Sequence, residues 1–211
     1  MEAPTERIIE AAVELFVQNG CKRITMDQIA SSIHISKRTL YENFSCKEDL
    51  LDACLGTIFQ KVEYGVKVIR EATSDPLLVI FYMGQNHTHF CFKYERLIDD
   101  TKDYYPAIYK RYFSMTAQEV VNRITKLLED ARDRNLLRPD ANLKVAANAM
   151  VYFLEQLRNS KMLNENSRYD ISSEFLFTYI RGLMSEEAIV DYCKNDSVVR
   201  LRLSSIFPWL A

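Results

Sequence analysis

The sequence predicts an all-α fold, on three observations. Apolar residues recur at the 3.6-residue helical period along most of the chain. Strict alternation of apolar and polar residues never lasts long enough to make a strand. Only 5 Gly and 5 Pro occur in 211 residues, so long helices with few tight turns are expected.

The first helix carries an apolar stripe of Ile8, Ala12, Leu15 and Phe16 and stops near Asn19-Gly20, where glycine suits the left-handed position after a helix. From Thr25 to Leu51 the chain reads TMDQIASSIHISKRTLYENFSCKEDLL, three short helical segments with a cap signal at each start. Thr25 and Gln28 form a capping box, and Ile29, Ala30 and Ile33 give the segment an apolar face. After a break at His34-Ile35-Ser36, Ser36 caps a helix from Lys37 to about Asn43. Ser45 and Glu48 make a second capping box, opening a long helix from Lys47 to about Ala72. Ser74-Asp75-Pro76 stops and restarts the chain. Further helices are expected over 76–98, briefly around Pro106, over 109–135, and from an Asp140 cap to about Ser160. Residues 164–168 read as a loop, followed by closing helices over 171–184 and 186–203.

Three caps within residues 25–45 describe a helix-turn-helix, the arrangement that places one helix in a DNA major groove. The net charge of −2 seems to oppose this, but its distribution does not. Residues 1–19 carry a local −3; residues 20–47 carry Lys22, Arg23, Lys37, Arg38 and Lys47 against Asp27 and Glu42, a local +3. Charges beyond a Debye length of about 10 Å are screened, so the local excess counts. In the second short helix Lys37, Arg38, Thr39 and Tyr41 reach toward DNA, with Arg38 the candidate for a bidentate contact to guanine.

The same residues resemble the TetR family of bacterial transcriptional regulators. That family's pattern T-x-x-x-I-A-x-x-x-x-v-S-x-x-T-L-Y-x-x-F-x-x-K-e-x-L is matched by Thr25, Ile29, Ala30, Ile35, Ser36, Thr39, Leu40, Tyr41, Phe44, Lys47 and Leu50. The match covers about the first fifty residues and departs from the pattern at two positions. His34 replaces the usual small turn residue, and Asn43 stands where an aromatic or histidine often precedes the phenylalanine. The resemblance implies DNA contacts from Thr25, Ser36, Lys37, Arg38, Thr39, Tyr41 and Lys47, with Thr25, Tyr41 and Lys47 on phosphates. It implies a helix-turn-helix domain over 1–50 and a helical effector-binding and dimerisation domain over 51–211. It also implies a cytoplasmic homodimeric regulator, by default a repressor on a palindromic DNA operator.

In that family the C-terminal helices enclose a small inducer, which directs attention to the aromatic residues between Tyr82 and Phe113. Tyr82, His87, Phe90, Tyr94, Tyr109, Tyr112, Phe113 and Tyr152 are the candidate ligand residues, suited to an apolar or aromatic effector. Gln85 and His89 can add hydrogen bonds, and mid-helix Gly84 marks a close approach. The resemblance places the dimer contact on two helices near the C-terminus, here through Tyr152, Phe153, Gln156, Phe175, Tyr179 and Leu183.

Other classes find less support. The longest apolar run, residues 77–83, is far short of the roughly 20 needed to cross a membrane, and no secretory leader is expected. Five scattered cysteines suit a reducing compartment. His87 and Cys91 share a helix face but His89 points away, so neither metal nor cofactor is expected. No phosphate-binding glycine loop, nucleophile elbow or metalloprotease motif appears, so no enzyme is expected. The alternatives are a helical small-molecule-binding protein or enzyme with a vestigial DNA module and, less favoured, a helical protein-interaction adaptor.

Overall fold

The computed structural model describes residues 4–160 and 163–190, and among these there is no strand, only an isolated antiparallel bridge between Leu137 and Met184. The all-α expectation holds. The chain forms two compact units, one running through Glu63 and including Cys91–Ser114, the other comprising Tyr64–Phe90 and the chain from Met115 onward.

The first unit contains α1 (Pro4–Asn19), α2 (Met26–Ser32), α3 (Lys37–Asn43) and the start of α4 (Lys47–Ala72), which runs unbroken into the second unit's sequence. It also holds the end of α5 (Pro76–Lys93), α6 (Glu95–Tyr104) and α7 (Pro106–Tyr112). Helix α1 packs on α2 and α6, α2 on α3, and α6 on α7. Its stripe buries Ile8, Ala12 and Phe16; α4 buries Leu50, Leu51 and Leu55; α6 buries Leu97 and Ile98. After α1 the chain turns at Gly20, φ +82°, as the expected left-handed position. The Gly20 amide closes on the Phe16 carbonyl at 2.9 Å. The turn then leans on α6: the Lys22 amide donates to Asp100 Oδ2 at 2.9 Å, and Arg96 Nη1 donates to the Gln18 carbonyl at 2.7 Å.

In the second unit, α8 (Ala117–Asp133) packs on α9 (Leu143–Asn159), and α9 on α10 (Glu165–Leu183). Leu128, Ala131, Ala147, Met150 and Leu183 lie in its core. Asp75 Oδ1 accepts the Leu77 amide at 2.9 Å and so caps α5 in front of Pro76, as expected. Arg134 chelates Asp130 and donates to the Ser74 carbonyl at 2.9 Å, holding the α4–α5 connection. Gly84 packs against α10, where a Cβ would come within 2.7 Å of Leu176 Cδ1.

Several boundaries differ from expectation. The helix expected over 76–98 is two, α5 and α6, parted at Tyr94. Apolar residues keep their period across that break and neither glycine nor proline marks it. The helix expected from Tyr109 begins at Ala117, because a capping box between Thr116 and Glu119 starts α8 afresh and leaves Tyr109 in α7. Asn142, not Asp140, caps α9, accepting the Val145 amide at 3.1 Å. The polar stretch after Asn164 is the first turn of α10 rather than a loop, with Asn164 Oδ1 accepting the Ser167 amide at 2.9 Å. Ser45 bonds to Asp49, not Glu48, because α4 starts at Lys47 and Asp49 is its third residue. Residues 186–190 are helical; the remainder of the helix expected to 203 lies outside the described residues.

Gly20→Ala is expected to destabilise the protein by about 1–3 kcal/mol, since alanine at that φ is strained and its methyl meets Asp100 Oδ2. The urea midpoint of the variant measures the loss.

Candidate nucleic-acid interface

Helices α2 and α3 have only seven residues each, so their ends decide whether they form. At α2, the Thr25 hydroxyl accepts the Gln28 amide at 3.3 Å and Gln28 Oε1 accepts the Thr25 amide at 2.8 Å. At α3, the Ser36 hydroxyl accepts the Thr39 amide at 3.1 Å and lies 2.9 Å from the Thr39 hydroxyl. Between them His34 adopts φ 57°, a left-handed value that histidine tolerates, and the Ile35 amide donates back to the Ala30 carbonyl at 3.0 Å. Leu40 and Ile29 are fully buried and Phe44 nearly so. With Leu40 inward, α3 turns Lys37, Arg38, Tyr41 and Glu42 to solvent.

Most cations of the module have partners within it. Lys37 pairs with Asp27 of α2, and Arg38 Nε donates to Glu42 Oε1 at 2.8 Å along α3. Lys22 Nζ donates to the Tyr104 hydroxyl at 2.6 Å and lies over that ring. Lys47 is half-buried, and its Nζ donates to the Lys22 carbonyl at 3.1 Å. Desolvation lowers its pKa from the ordinary lysine value, an effect opposed by nearby Glu48 and Asp100. Arg23 is exposed and has no ion pair among the described residues. Asn43 Nδ2 donates to the Thr39 carbonyl at 2.8 Å, and its Oδ1 accepts from the Thr5 hydroxyl at 2.7 Å, so this departure from the family pattern ties α3 to α1.

All seven expected DNA residues therefore lie on or beside the α2–α3 pair and the start of α4. The carboxylate partners Asp27 and Glu42 were missed as candidates, although the four-residue spacing of Arg38 and Glu42 is a visible helix-pair signal.

The expected ligand residues divide between the units. Tyr109, Tyr112 and Phe113 gather on α4 around Phe59, whose ring lies 5.3 Å from Tyr112 and 5.2 Å from Phe113. Tyr109 stacks on Phe113 at 4.8 Å. The Tyr112 hydroxyl donates to the Asp52 carbonyl at 2.9 Å, and Arg111 pairs with the Asp52 carboxylate at 2.6 Å. Burial raises the Tyr94 phenol above its ordinary pKa. In the second unit Tyr82 is buried with Val68, Ile69 and Val79, Phe90 is half-buried, and His87 and Tyr152 are exposed. Nearby, Gln85 Nε2 donates to Ser173 Oγ at 3.0 Å while its Oε1 is buried without a hydrogen bond among the described residues. Of the expected dimer residues, Phe153, Phe175 and Tyr179 form a continuous stack with ring separations of 3.7 and 5.3 Å. Tyr152 and Gln156 are exposed beside it, and Leu183 is buried in the unit's own core.

Residues 8–54 match the family model of bacterial regulatory proteins of the tetR family. The amino-terminal segment is thus similar to the helix-turn-helix of that family. An HTH-type regulator of Bacillus subtilis strain 168, YvkB, described as uncharacterized, is 31% identical over 70 residues, 30% of this chain and 37% of the relative. The chain thus aligns with little more than a third of that protein. A transcriptional regulator from Cytophaga hutchinsonii ATCC 33406 shares the fold with a TM-score of 0.65 at 19% identity, over 85% of this chain and 98% of that one. A gamma-butyrolactone receptor, ArpA-like, does so with a TM-score of 0.64 at 20% identity, over 95% and 96%. Another relative, SrpR of Pseudomonas putida, is likewise described as an HTH-type transcriptional regulator and is 38% identical over 56 residues, 26% of each chain. Among the described residues no helix is long and apolar enough to cross a membrane.

Proposed function

We propose that this TetR-type chain is a ligand-responsive repressor that binds a palindromic operator in the cytoplasm as a homodimer. One observation carries the reading: α3, capped by Ser36 and held by Leu40, presents Lys37, Arg38 and Tyr41 together on its solvent face. Arg38 reads guanine, Ser36, Lys37 and Thr39 contact the DNA beside it, and Thr25, Tyr41 and Lys47 hold phosphates. The functional division falls at residue 50, with DNA reading before it and effector binding and dimerisation after it. Selection from a random DNA pool should return a palindrome with half-sites about 34 Å apart. Arg38→Ala should cost about 1–3 kcal/mol on that site and relax preference at one base pair. Unchanged affinity and preference would remove Arg38 as the reader.

The dimer surface proposed is the outer face of α9 and α10. Tyr152 is 65% exposed and Val145 60% on α9, Phe177 is 54% exposed on α10, and Phe153, Phe175 and Tyr179 stack between the two helices. Large apolar groups left exposed on these two helices support association, and one half-site offers too few contacts for tight binding. Glutamate at Phe175 and Tyr179 should lower both self-association, seen by sedimentation, and operator affinity. A dimer that persists in the variant would place the contact elsewhere.

The effector proposed is an apolar or aromatic molecule with one or two hydrogen-bonding groups. Two places suit it. Insertion among Tyr109, Tyr112 and Phe113 would press on Phe59 of α4, the helix that begins at the DNA module. In the other unit, a donor could satisfy Gln85 Oε1, whose unpaired burial costs about 1–3 kcal/mol. Linkage requires operator DNA to weaken effector binding by the factor that effector weakens DNA binding, typically about 5–150-fold. Calorimetric titration of an alkylphenol with and without operator should show this difference, and equal dissociation constants would exclude that compound as effector.

A further inference from the structure

We propose that Glu42 is a positioning residue that sets the sequence specificity of α3, holding the Arg38 guanidinium for base edges and away from phosphates. The inference rests on the DNA-binding reading above.

The argument starts from placement. Glu42 lies on the solvent face of α3 with Lys37, Arg38 and Tyr41, its side chain 57% exposed. Double-stranded DNA carries about one negative charge per 1.7 Å, so a carboxylate on this face opposes general binding. Its partner explains what is gained. Arg38 Nε donates to Glu42 Oε1 at 2.8 Å across one helical turn. A guanidinium has five N–H donors in a planar fork, and Nε supplies one of them. Occupying Nε leaves the four donors on the two terminal nitrogens, which can meet guanine O6 and N7 as a pair. Arg38 can therefore read guanine without leaving Glu42, but a phosphate must compete with that carboxylate.

Helix α2 supplies a second such carboxylate. Asp27 holds the Lys37 ammonium, and Lys22 and Lys47 donate to Tyr104 and to a backbone carbonyl. Of the five cations in residues 20–47, only Arg23 has no such partner among the described residues. The two carboxylates thereby weaken diffuse attraction to phosphate along α3, while the terminal nitrogens of Arg38 are not used in its bond to Glu42. Specificity is the ratio of the two affinities, so weakening the general one raises it as surely as strengthening the specific one.

An exposed pair of this kind contributes little to folding, which makes Glu42→Gln a clean test. Binding is measured by fluorescence anisotropy on the selected operator, on the operator altered at the Arg38 base pair, and on unrelated duplex, across a salt series. Thermal denaturation confirms the fold. Glu42→Gln should raise affinity for unrelated duplex about 3–10-fold and lower discrimination at the Arg38 base pair about tenfold. In an Arg38→Ala background the same change should leave discrimination at that pair unaltered, because the residue acts through Arg38. Wild-type discrimination and wild-type general affinity in Glu42→Gln would overturn the role of Glu42 alone. Failure of the native protein to select any DNA would overturn the DNA-binding reading and this inference with it.

Discussion

Two seven-residue helices cannot hold themselves together, and the proposed DNA-reading surface of this protein is made of two such helices. Forming the first turn costs more than it returns, and isolated helices below about 12–15 residues are marginal in water. A helix this short is nearly all ends, because four amides and four carbonyls at its termini lack intrahelical partners. Reciprocal bonds between Thr25 and Gln28, and those from Ser36 to Thr39, supply those partners at the amino-terminal ends. Burial of Ile29, Leu40 and Phe44 supplies the rest of the stabilisation. Only with both in place do Lys37, Arg38 and Tyr41 share one face. Chemistry at that face is downstream of capping.

Electrostatics then sorts what the surface attracts. A chain of net charge −2 still concentrates cations where they count, because screening confines their action to about 10 Å. Within the module, however, those cations are spent largely on Asp27, Glu42, Tyr104 and a backbone carbonyl. The basic cluster is therefore a set of held side chains, two of them paired with carboxylates. Lys47 is one of these: its Nζ fastens the start of α4 to the turn after α1 and retains two further N–H donors.

Polar groups inside the second unit act by a related logic. Gln85 with Ser173, and Thr88 with Ser172, pair across α5 and α10 in an otherwise apolar contact, with Gly84 beside Leu176 allowing the helices to close. Each pair is satisfied at one register of the two helices, and a slip would strand buried hydroxyls at a cost of about 1–3 kcal/mol apiece. Gln85 Oε1 is a buried acceptor with no hydrogen bond among the described residues.

What the sequence determined by itself is everything encoded within about four residues. The limits of α1 to α4, the Gly20 turn, the tolerance of His34 for positive φ and the caps of α2 and α3 were all legible, since each depends on a hydrogen bond or steric preference between near neighbours. The same local signal existed at Thr116 and Glu119 and was overlooked beneath an uninterrupted apolar period. Tertiary structure decided the rest. The break at Tyr94 has no glycine, proline or cap to announce it. Lys22 finds Tyr104 at a separation of 82 residues, and Phe59 joins the aromatic residues of α7 only because α7 folds onto α4. Such partners follow from which helix faces pack together, and periodicity shows that a face is apolar without showing what covers it.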